Sequence, residues 1–374
     1  MVQRVAILGS TGSIGRQALE VISRFPERWQ VIALAAGRNT ALLEEQIASF
    51  KPSFAFNLEK GALGGARYMP LEEMAALPEA DIVLIALGGS SGLGPTLTAA
   101  GAGRVIALAN KESLVMAGEI IVKEAGRSGA EIRPIDSEHS AIWQCLRGED
   151  VPRRIVLTAS GGPFLNYPKE DLARVTPAEA LKHPSWKMGK KVTVDSASLL
   201  NKGLEVIEAH HLFGIEYDKI EVLVHPESIV HAMVEFVDGS VKAEIALPDM
   251  RLPIQYALSY PERLESEILP HMDFSRLGKL SFKTPDLDKF PCLKLAREAG
   301  EEGGTYPSVL STADEVLANL FLDGEISFTD IPRYLEEVLS SHQSVPSPKI
   351  EDILEAARWA RKRVKEIVKK CGYQ

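Results

Sequence analysis

Residues 133–143 read RPIDSEHSAIW, with Asp136 and Glu138 bracketing Ser137 just ahead of an apolar stretch. Carboxylates that close raise each other's pKa unless a cation neutralises them. Paired hard oxygen donors suit Mg²⁺ or Mn²⁺, with waters or substrate oxygens filling the other positions. If Ile132–Asp136 is a strand, residues two apart point to one side, and both acids converge at its end. The competing reading is an N-cap and first-turn acids on a helix from His139 to Leu146, where negative charge suits the positive helix end. On Asp-Ser-Glu alone the capping reading is the stronger.

Other residues with chemical potential sit in comparable places. The run VIALA at 105–109 leads into Asn110, Lys111 and Glu112. A lysine at the carboxyl end of a parallel strand can grip an anionic oxygen, or it can be an ordinary charged first turn. Ala159-Ser160-Gly161-Gly162-Pro163 is a small-residue loop whose amides can form an anion nest. Ser196, Asn201 and Lys202 are donors near a helix start, which suits a phosphate. Glu205 either faces the same cavity as a third carboxylate or is a first-turn acid. The loop 182–189 carries Trp186 and Met188 between polar residues, as a lid or as a buried staple. His210 and His211 are adjacent on one helix and cannot share a face. His225 and His231 read as structural, or as part of a subunit contact.

The first 145 residues must position the earliest of these groups. Strand signals at Arg4–Leu8, Trp29–Ala35, 80–86 and 105–109 alternate with helical spacing at Ser13–Phe25, Ala41–Phe50 and Pro95–Ala102. That alternation indicates βαβ units on a parallel sheet. The first turn is GSTGSIG, with Gly9, Gly12 and Gly15 between strand and helix. Glycines there let a pyrophosphate approach the helix N-terminus, although the spacing GxxGxxG departs from GxGxxG. The second strand ends in Ala-Ala-Gly37-Arg38-Asn39. No acid is present for a ribose diol, and Arg38 can pair with a 2′-phosphate, so NADP is favoured over NAD.

Further along, Arg154–Thr158 and Val192–Asp195 read as strands, and a helix runs to Phe213 with Gly214 as its cap. Glu221–Val224, Ser228–Val237 and Val241–Leu247 read as strands, the last two joined at Asp238-Gly239 as a hairpin. Residues 263–287 are loop-like and the remainder helical. Ile350, Ile353, Leu354, Ala357, Ala360, Val364 and Ile367 follow one helical face. The expected division is 1–146, 147–262, 263–287 and 288–374.

Composition narrows the partners. The chain has 374 residues, a formal net charge of −9 and a pI near 5.5, which argues against nucleic acid. Any anionic substrate must be held by local positive groups. Three scattered cysteines, Cys145, Cys292 and Cys371, make neither a disulfide framework nor a zinc spacing and fit a reducing, cytoplasmic compartment. No signal peptide and no apolar run of membrane-spanning length is read.

Several long motifs then coincide in order: GSTGSIG at 9–15, AGRN at 36–39, LANKESLV at 108–115, IDSEHSAIWQ at 135–144, ASGGPF at 159–164, HPSWKMGKKVTVDSASLLNKGLE at 183–205, HPESIVHAM at 225–233 and FPCLKLA at 290–296. With these the chain resembles the 1-deoxy-D-xylulose 5-phosphate reductoisomerases of the non-mevalonate isoprenoid route, nearly end to end. The resemblance implies an α/β fold: a Rossmann-like N-terminal domain, an α+β catalytic and dimerisation domain, a linker and a C-terminal helical bundle. It implies that Asp136, Glu138 and Glu205 bind one divalent cation, Mg²⁺, Mn²⁺ or Co²⁺. Lys111 and Ser137 would lie against the substrate, and Ser160, His183, Ser196, Asn201 and Lys202 would hold it, mainly by its phosphate. Trp186 would belong to a closing flap, with Met188 and Gly189 near the nicotinamide. Thr11, Gly12, Ser13, Ile14, Gly37, Arg38, Asn39, Asn110 and Glu112 would bind NADPH. The partner would be a small phosphosugar, with no nucleic acid and no membrane, and the assembly a homodimer. Ser185, Lys187 and Ser198 stand where such enzymes vary. The alternative is another NADP-dependent dehydrogenase of a small phosphorylated substrate, needing only the first domain.

Overall fold

The computed structural model describes residues 2–59, 63–186, 188–370 and 372, so Lys187 and Cys371 lie outside the described residues. The chain forms two compact units. One comprises residues 1–113, 119–140 and 249–270, the other 114–118, 141–248 and 271–374.

The first unit is built on a seven-stranded parallel sheet. Its strands are β1 (Gln3–Leu8), β2 (Trp29–Ala35), β3 (Phe54–Phe56), β4 (Arg67–Tyr68), β5 (Ile82–Ile85), β6 (Val105–Leu108) and β7 (Glu131–Pro134), in the order β4-β3-β2-β1-β5-β6-β7. β5 is buried at all four positions, as expected for a parallel strand covered on both faces. β1 pairs with β2 on one side and β5 on the other, so strand order reverses beside it. That switch point opens a crevice at the strands' carboxyl ends. β3 and β4, absent from the sequence reading, extend the sheet at its far edge and are too short to show a period. Residues 249–270 return to this unit. Ile254, Ala257 and Leu258 join its core, and Arg133 Nη1 donates to Ala257 O at 3.0 Å.

The second unit has a four-stranded mixed sheet of β8 (Arg154–Ala159), β9 (Ile220–Val224), β10 (Val230–Glu235) and β11 (Val241–Ile245), in the order β11-β10-β8-β9. β8 and β9 run parallel while β10 and β11 form the expected antiparallel hairpin, closed by Gly239 at φ 84°. The helices Lys190–Ala197 and Leu200–Phe213 pack with four C-terminal helices, Cys292–Glu302, Tyr306–Leu322, Asp330–Ser340 and Ile350–Lys370, over one apolar core. Gly203 permits one of these approaches: a Cβ there would stand 2.3 Å from Ala296 Cβ.

Three local readings are corrected. Residues 192–195 are helical, inside Lys190–Ala197. Val-Thr-Val imitates a strand period, but Lys191 and Asp195 pair across one helical turn at 2.8 Å. For Asp136 and Glu138 the preferred capping reading holds and the strand-end alternative does not: β7 stops at Pro134 and a helix starts at Ser137, two residues ahead of the expected His139. Leu354 is 40% exposed and lies off the buried face of the last helix, which Ala356 and Val368 complete. The stretch 263–287 also contains a short helix, Phe274–Leu277.

Candidate functional site

In the first unit, the glycine turn follows β1 and opens the helix Ser13–Arg24. Gly9 has φ 100°, and a Cβ on it would lie 2.3 Å from Ala86 O; one on Gly15 would lie 2.3 Å from Gly9 O. Those two glycines are demanded by the protein's own packing. A Cβ on the exposed Gly12 would meet nothing closer than Gly9 O at 3.3 Å, so its smallness leaves room on the solvent side. Thr11, Ser13 and Ile14 are half-buried around it, and Ser10 braces the turn by donating to Gln46 Oε1 at 2.7 Å. Gly37, Arg38 and Asn39 are exposed beyond β2, with Asn39 capping the next helix by accepting from Leu42 N.

Asn110 caps the helix Lys111–Ser128 through Oδ1, which accepts from Ser113 N at 3.0 Å. Its Nδ2 donates towards Leu87 O, Gly89 O and Glu112 Oε2 at 2.8, 2.9 and 3.0 Å. Asn110 thus ties the ends of β5 and β6 together. Lys111, only 8% exposed, puts Nζ 2.8 Å from Asp136 Oδ2. Burial pushes the Asp136 carboxyl up, but Lys111 and His139 outweigh it and hold the group well below the usual carboxylate range. Asp136 Oδ1 is buried without a hydrogen-bond partner, 3.4 Å from Nδ1 of the fully buried His139. Ser137 Oγ donates to Glu138 Oε2 at 2.7 Å. An ionised carboxylate with one oxygen left without a hydrogen bond suits a cation ligand.

In the second unit, Gly161 and Gly162 adopt φ 86° and 69° in the loop after β8. Ser160 Oγ and Ser196 Oγ both contact His183 Nε2, at 2.9 and 3.0 Å, and Gly162 N donates to Ser160 Oγ at 3.2 Å. His183 Nδ1 accepts from Ser185 N and Trp186 N, at 3.2 and 2.9 Å, which puts the ring proton on Nε2 between the two serines. Burial, with the Lys202 charge adding to it, pushes the His183 pKa down to about 4. The cluster therefore offers two hydroxyls, an imidazole N–H and glycine-loop backbone, all neutral at pH 7. Beside it, Asn201 Nδ2 and Lys202 Nζ each donate to an oxygen of Glu205, which is 1% exposed.

Trp186 is half-buried with its ring 5.8 Å from that of His231, and Ser228 Oγ donates to Ser185 Oγ at 3.2 Å. Met188 is half-buried, and among the described residues nothing stands within 4 Å of where a Gly189 Cβ would be. His225 is structural: Nδ1 donates to Ser281 O at 2.8 Å and Nε2 accepts from Ile229 N and Val230 N. His210 stacks on Tyr217 at 4.2 Å, apart from these groups. Sequence reasoning missed His139 and the buried Glu208, which follow Asp136 and Glu205 at three-residue spacing; that spacing was the available signal.

The depressed histidines make a prediction about stability. Burial lowers His183, His211 and His231 from 6.5 to about 4. The unfolded chain takes up these protons first, so the stability is fully present above pH 6.5 and is lost as pH falls towards 4. The urea midpoint is expected to drop between pH 7 and pH 5, followed by circular dichroism. An unchanged midpoint over that window removes the histidines as the cause.

Residues 5–118 match the family model for 1-deoxy-D-xylulose 5-phosphate reductoisomerase, residues 132–213 the model for its C-terminal domain, and residues 245–363 a further DXP reductoisomerase C-terminal domain model. Proteins named 1-deoxy-D-xylulose 5-phosphate reductoisomerase from Desulforamulus reducens and Thermomicrobium roseum are 50% and 51% identical to the chain, covering 99% and 97% of it and 100% and 97% of those proteins. The Zymomonas mobilis reductoisomerase in complex with NADPH superposes with a TM-score of 0.91 at 38% identity, over 98% of this chain and 99% of that one. A reductoisomerase in complex with NADPH, fosmidomycin and magnesium gives 0.91 at 39%, over 98% of both.

Proposed function

The chain belongs to the 1-deoxy-D-xylulose 5-phosphate reductoisomerase family, and on that premise we propose how its residues share the work. The enzyme rearranges 1-deoxy-D-xylulose 5-phosphate and reduces the product to 2-C-methyl-D-erythritol 4-phosphate, using NADPH and a divalent cation.

Asp136, Glu138 and Glu205 supply the carboxylates for the cation, an all-oxygen donor set that fits Mg²⁺ and also admits Mn²⁺ or Co²⁺. The observation that carries this reading is the ionised Asp136, whose buried Oδ1 makes no hydrogen bond among the described residues. When bound, the cation serves as Lewis acid for the substrate's ketone and neighbouring hydroxyl oxygens, and NADPH is the reductant. Lys111 adds positive charge where an oxyanion develops, and Ser137 orients the substrate beside Glu138. Ser160, His183, Ser196, Asn201 and Lys202 grip the phosphate, whose binding energy is remote from the reacting carbons. Trp186 closes over the substrate and excludes water, with Met188 and Gly189 against the nicotinamide.

For the cofactor, Thr11, Gly12, Ser13 and Ile14 receive the pyrophosphate, while Gly37, Arg38 and Asn39 receive the 2′-phosphate end. Asn110 and Glu112 line the nicotinamide side. Arg38→Ala is expected to raise KM for NADPH roughly 10- to 100-fold and leave KM for NADH nearly unchanged. An equal effect on both, in steady-state kinetics, would remove Arg38 from the 2′-phosphate.

In functional terms residues 1–146 form the NADPH domain, 147–262 the catalytic and dimerisation domain, 263–287 a linker and 288–374 the helical domain. A homodimer is supported by the edge strand β11, which with its turn exposes Val237, Val241 and Ile245. Among the described residues no helix is long and apolar enough to cross a membrane. The burial of Cys145 and Cys292 in the core fits a reducing, cytoplasmic setting.

The test is NADPH oxidation on adding 1-deoxy-D-xylulose 5-phosphate, with and without Mg²⁺ or Mn²⁺. Turnover that persists after exhaustive chelation would favour a plain NADP-dependent dehydrogenase instead.

A further inference from the structure

The helix Lys190–Ala197 delivers Ser196 to the His183 cluster from its last turn. Little apolar packing fixes its position, because Val194 and Ala197 are its only buried apolar residues. Its N-cap is Gly189, which has no side chain to hold the first turn. An ionic group takes that role on a different side chain from Ser196. Lys191 Nζ lies 2.8 Å from Asp195 Oδ2 and also contacts Asp314 Oδ2. Asp195 and Asp314 are each 1% exposed, and Asp314 sits in the interior of the helix Tyr306–Leu322. The thiol of Cys292, fully buried, packs into the same group; burial and the two aspartates push its pKa up, so it stays protonated and inert.

One ammonium between two buried carboxylates has a narrow range of acceptable positions, since no water can relax a displaced charge. Moving Lys191 moves the helix, and Ser196 is one residue beyond the Asp195 that shares the ammonium. We infer that Asp314 is a positioning residue: held against Lys191, it fixes the helix Lys190–Ala197 so that Ser196 Oγ meets His183, and thereby sets the affinity of the cluster for the substrate's phosphate. This rests on the reading of Ser160, His183 and Ser196 as the phosphate site. It touches no reactant and adds no chemical step.

The experiment compares Asp314→Asn, Asp314→Glu and Ser196→Ala in the full-length enzyme. Asp314→Asn keeps the volume and removes the charge. It is expected to raise KM for 1-deoxy-D-xylulose 5-phosphate about tenfold, with a much smaller fall in kcat, because a small displacement of a binding group weakens contact with the substrate. Inhibition by inorganic phosphate should weaken by the same factor, and KM for NADPH should hold. Asp314→Glu should recover most of the loss. A residue that only supports the fold would lower the active fraction, and so kcat, with KM and phosphate inhibition unchanged; that result overturns the inference. If Asp314→Asn does not fold, Lys191→Arg keeps the charge but moves it, and is expected to raise the same KM about threefold; an unchanged KM there overturns the inference as well. Ser196→Ala separates the two layers. If it leaves KM and phosphate inhibition unchanged, the phosphate reading itself fails and this inference falls with it. If it raises both while Asp314→Asn raises neither, only the inference fails.

Discussion

Glu205→Gln is expected to lower kcat/KM for 1-deoxy-D-xylulose 5-phosphate about a thousandfold at fixed Mg²⁺ while NADPH affinity stays within about twofold. Glu205 is 1% exposed, and both Asn201 and Lys202 donate to its oxygens. The amide matches the carboxyl in shape, so the helix Leu200–Phe213 loses no packing volume. Two charge effects remain. The amide offers a divalent ion one neutral oxygen in place of an anionic pair, and its single oxygen can accept from only one side, leaving its NH₂ against the other donor, Asn201 or Lys202. The loss should therefore show directly in metal affinity, measured by Mn²⁺ titration in electron paramagnetic resonance, as well as in turnover. A purely structural role for Glu205 predicts a lower melting temperature with Mn²⁺ affinity intact. Undiminished turnover would take Glu205 out of the metal shell altogether.

The parts of this site that were legible in the sequence are those fixed by short-range chemistry. Gly9 and Gly15 are legible because a strand-to-helix turn sets Gly9 at φ 100° and leaves Gly15 no room for a Cβ beside Gly9 O, constraints set within a few residues. Gly214 ends its helix for a different reason, a left-handed backbone at φ 63° that favours a residue without a Cβ. Asp136 and Glu138 are legible as a pair, and the preferred placement at a helix start is the one observed, against the strand-end alternative. Pro134 stops β7, and the capping geometry that seemed to compete with a metal role is the geometry that carries the acids. Val192–Asp195 failed because alternation of β-branched residues over four positions does not separate strand from helix, and the deciding interactions lie elsewhere. Thr193 Oγ1 donates to Gly189 O at 2.9 Å, and Lys191 pairs with Asp195 and with Asp314, a residue far along the chain. No window of sequence contains that last partner. The tautomer of His183 was likewise invisible, since it depends on amides of Ser185 and Trp186 that fold back onto Nδ1.

Lys111→Met carries the other large expectation, and its two readouts move in opposite directions. Lys111 Nζ lies 2.8 Å from Asp136 Oδ2, with the two side chains 9% and 12% exposed. Methionine fills similar space without the charge. Asp136 is then left with His139 as its neighbour, and the balance against burial shifts, so its carboxyl pKa should rise from well below the usual range. Breaking a buried pair by removing one member costs about 3 kcal/mol, visible as a lower urea midpoint. In metal-free wild-type protein the lysine already neutralises Asp136, and any divalent ion binding there must share that carboxylate with an ammonium. Without the ammonium the same ion meets an uncompensated anion. Lys111→Met should therefore bind Mn²⁺ more tightly, and saturating Mg²⁺ should raise its urea midpoint by more than it raises that of the wild type. Turnover should nevertheless fall about 100- to 1,000-fold, because the charge that meets the developing oxyanion is gone. Weaker metal binding together with lost turnover would mean that Lys111 supports the metal shell and does not face the substrate. Tighter binding with turnover retained would leave the lysine no part in the reaction. Only the opposed pair of changes places Lys111 where both the ion and the substrate oxygens feel its charge.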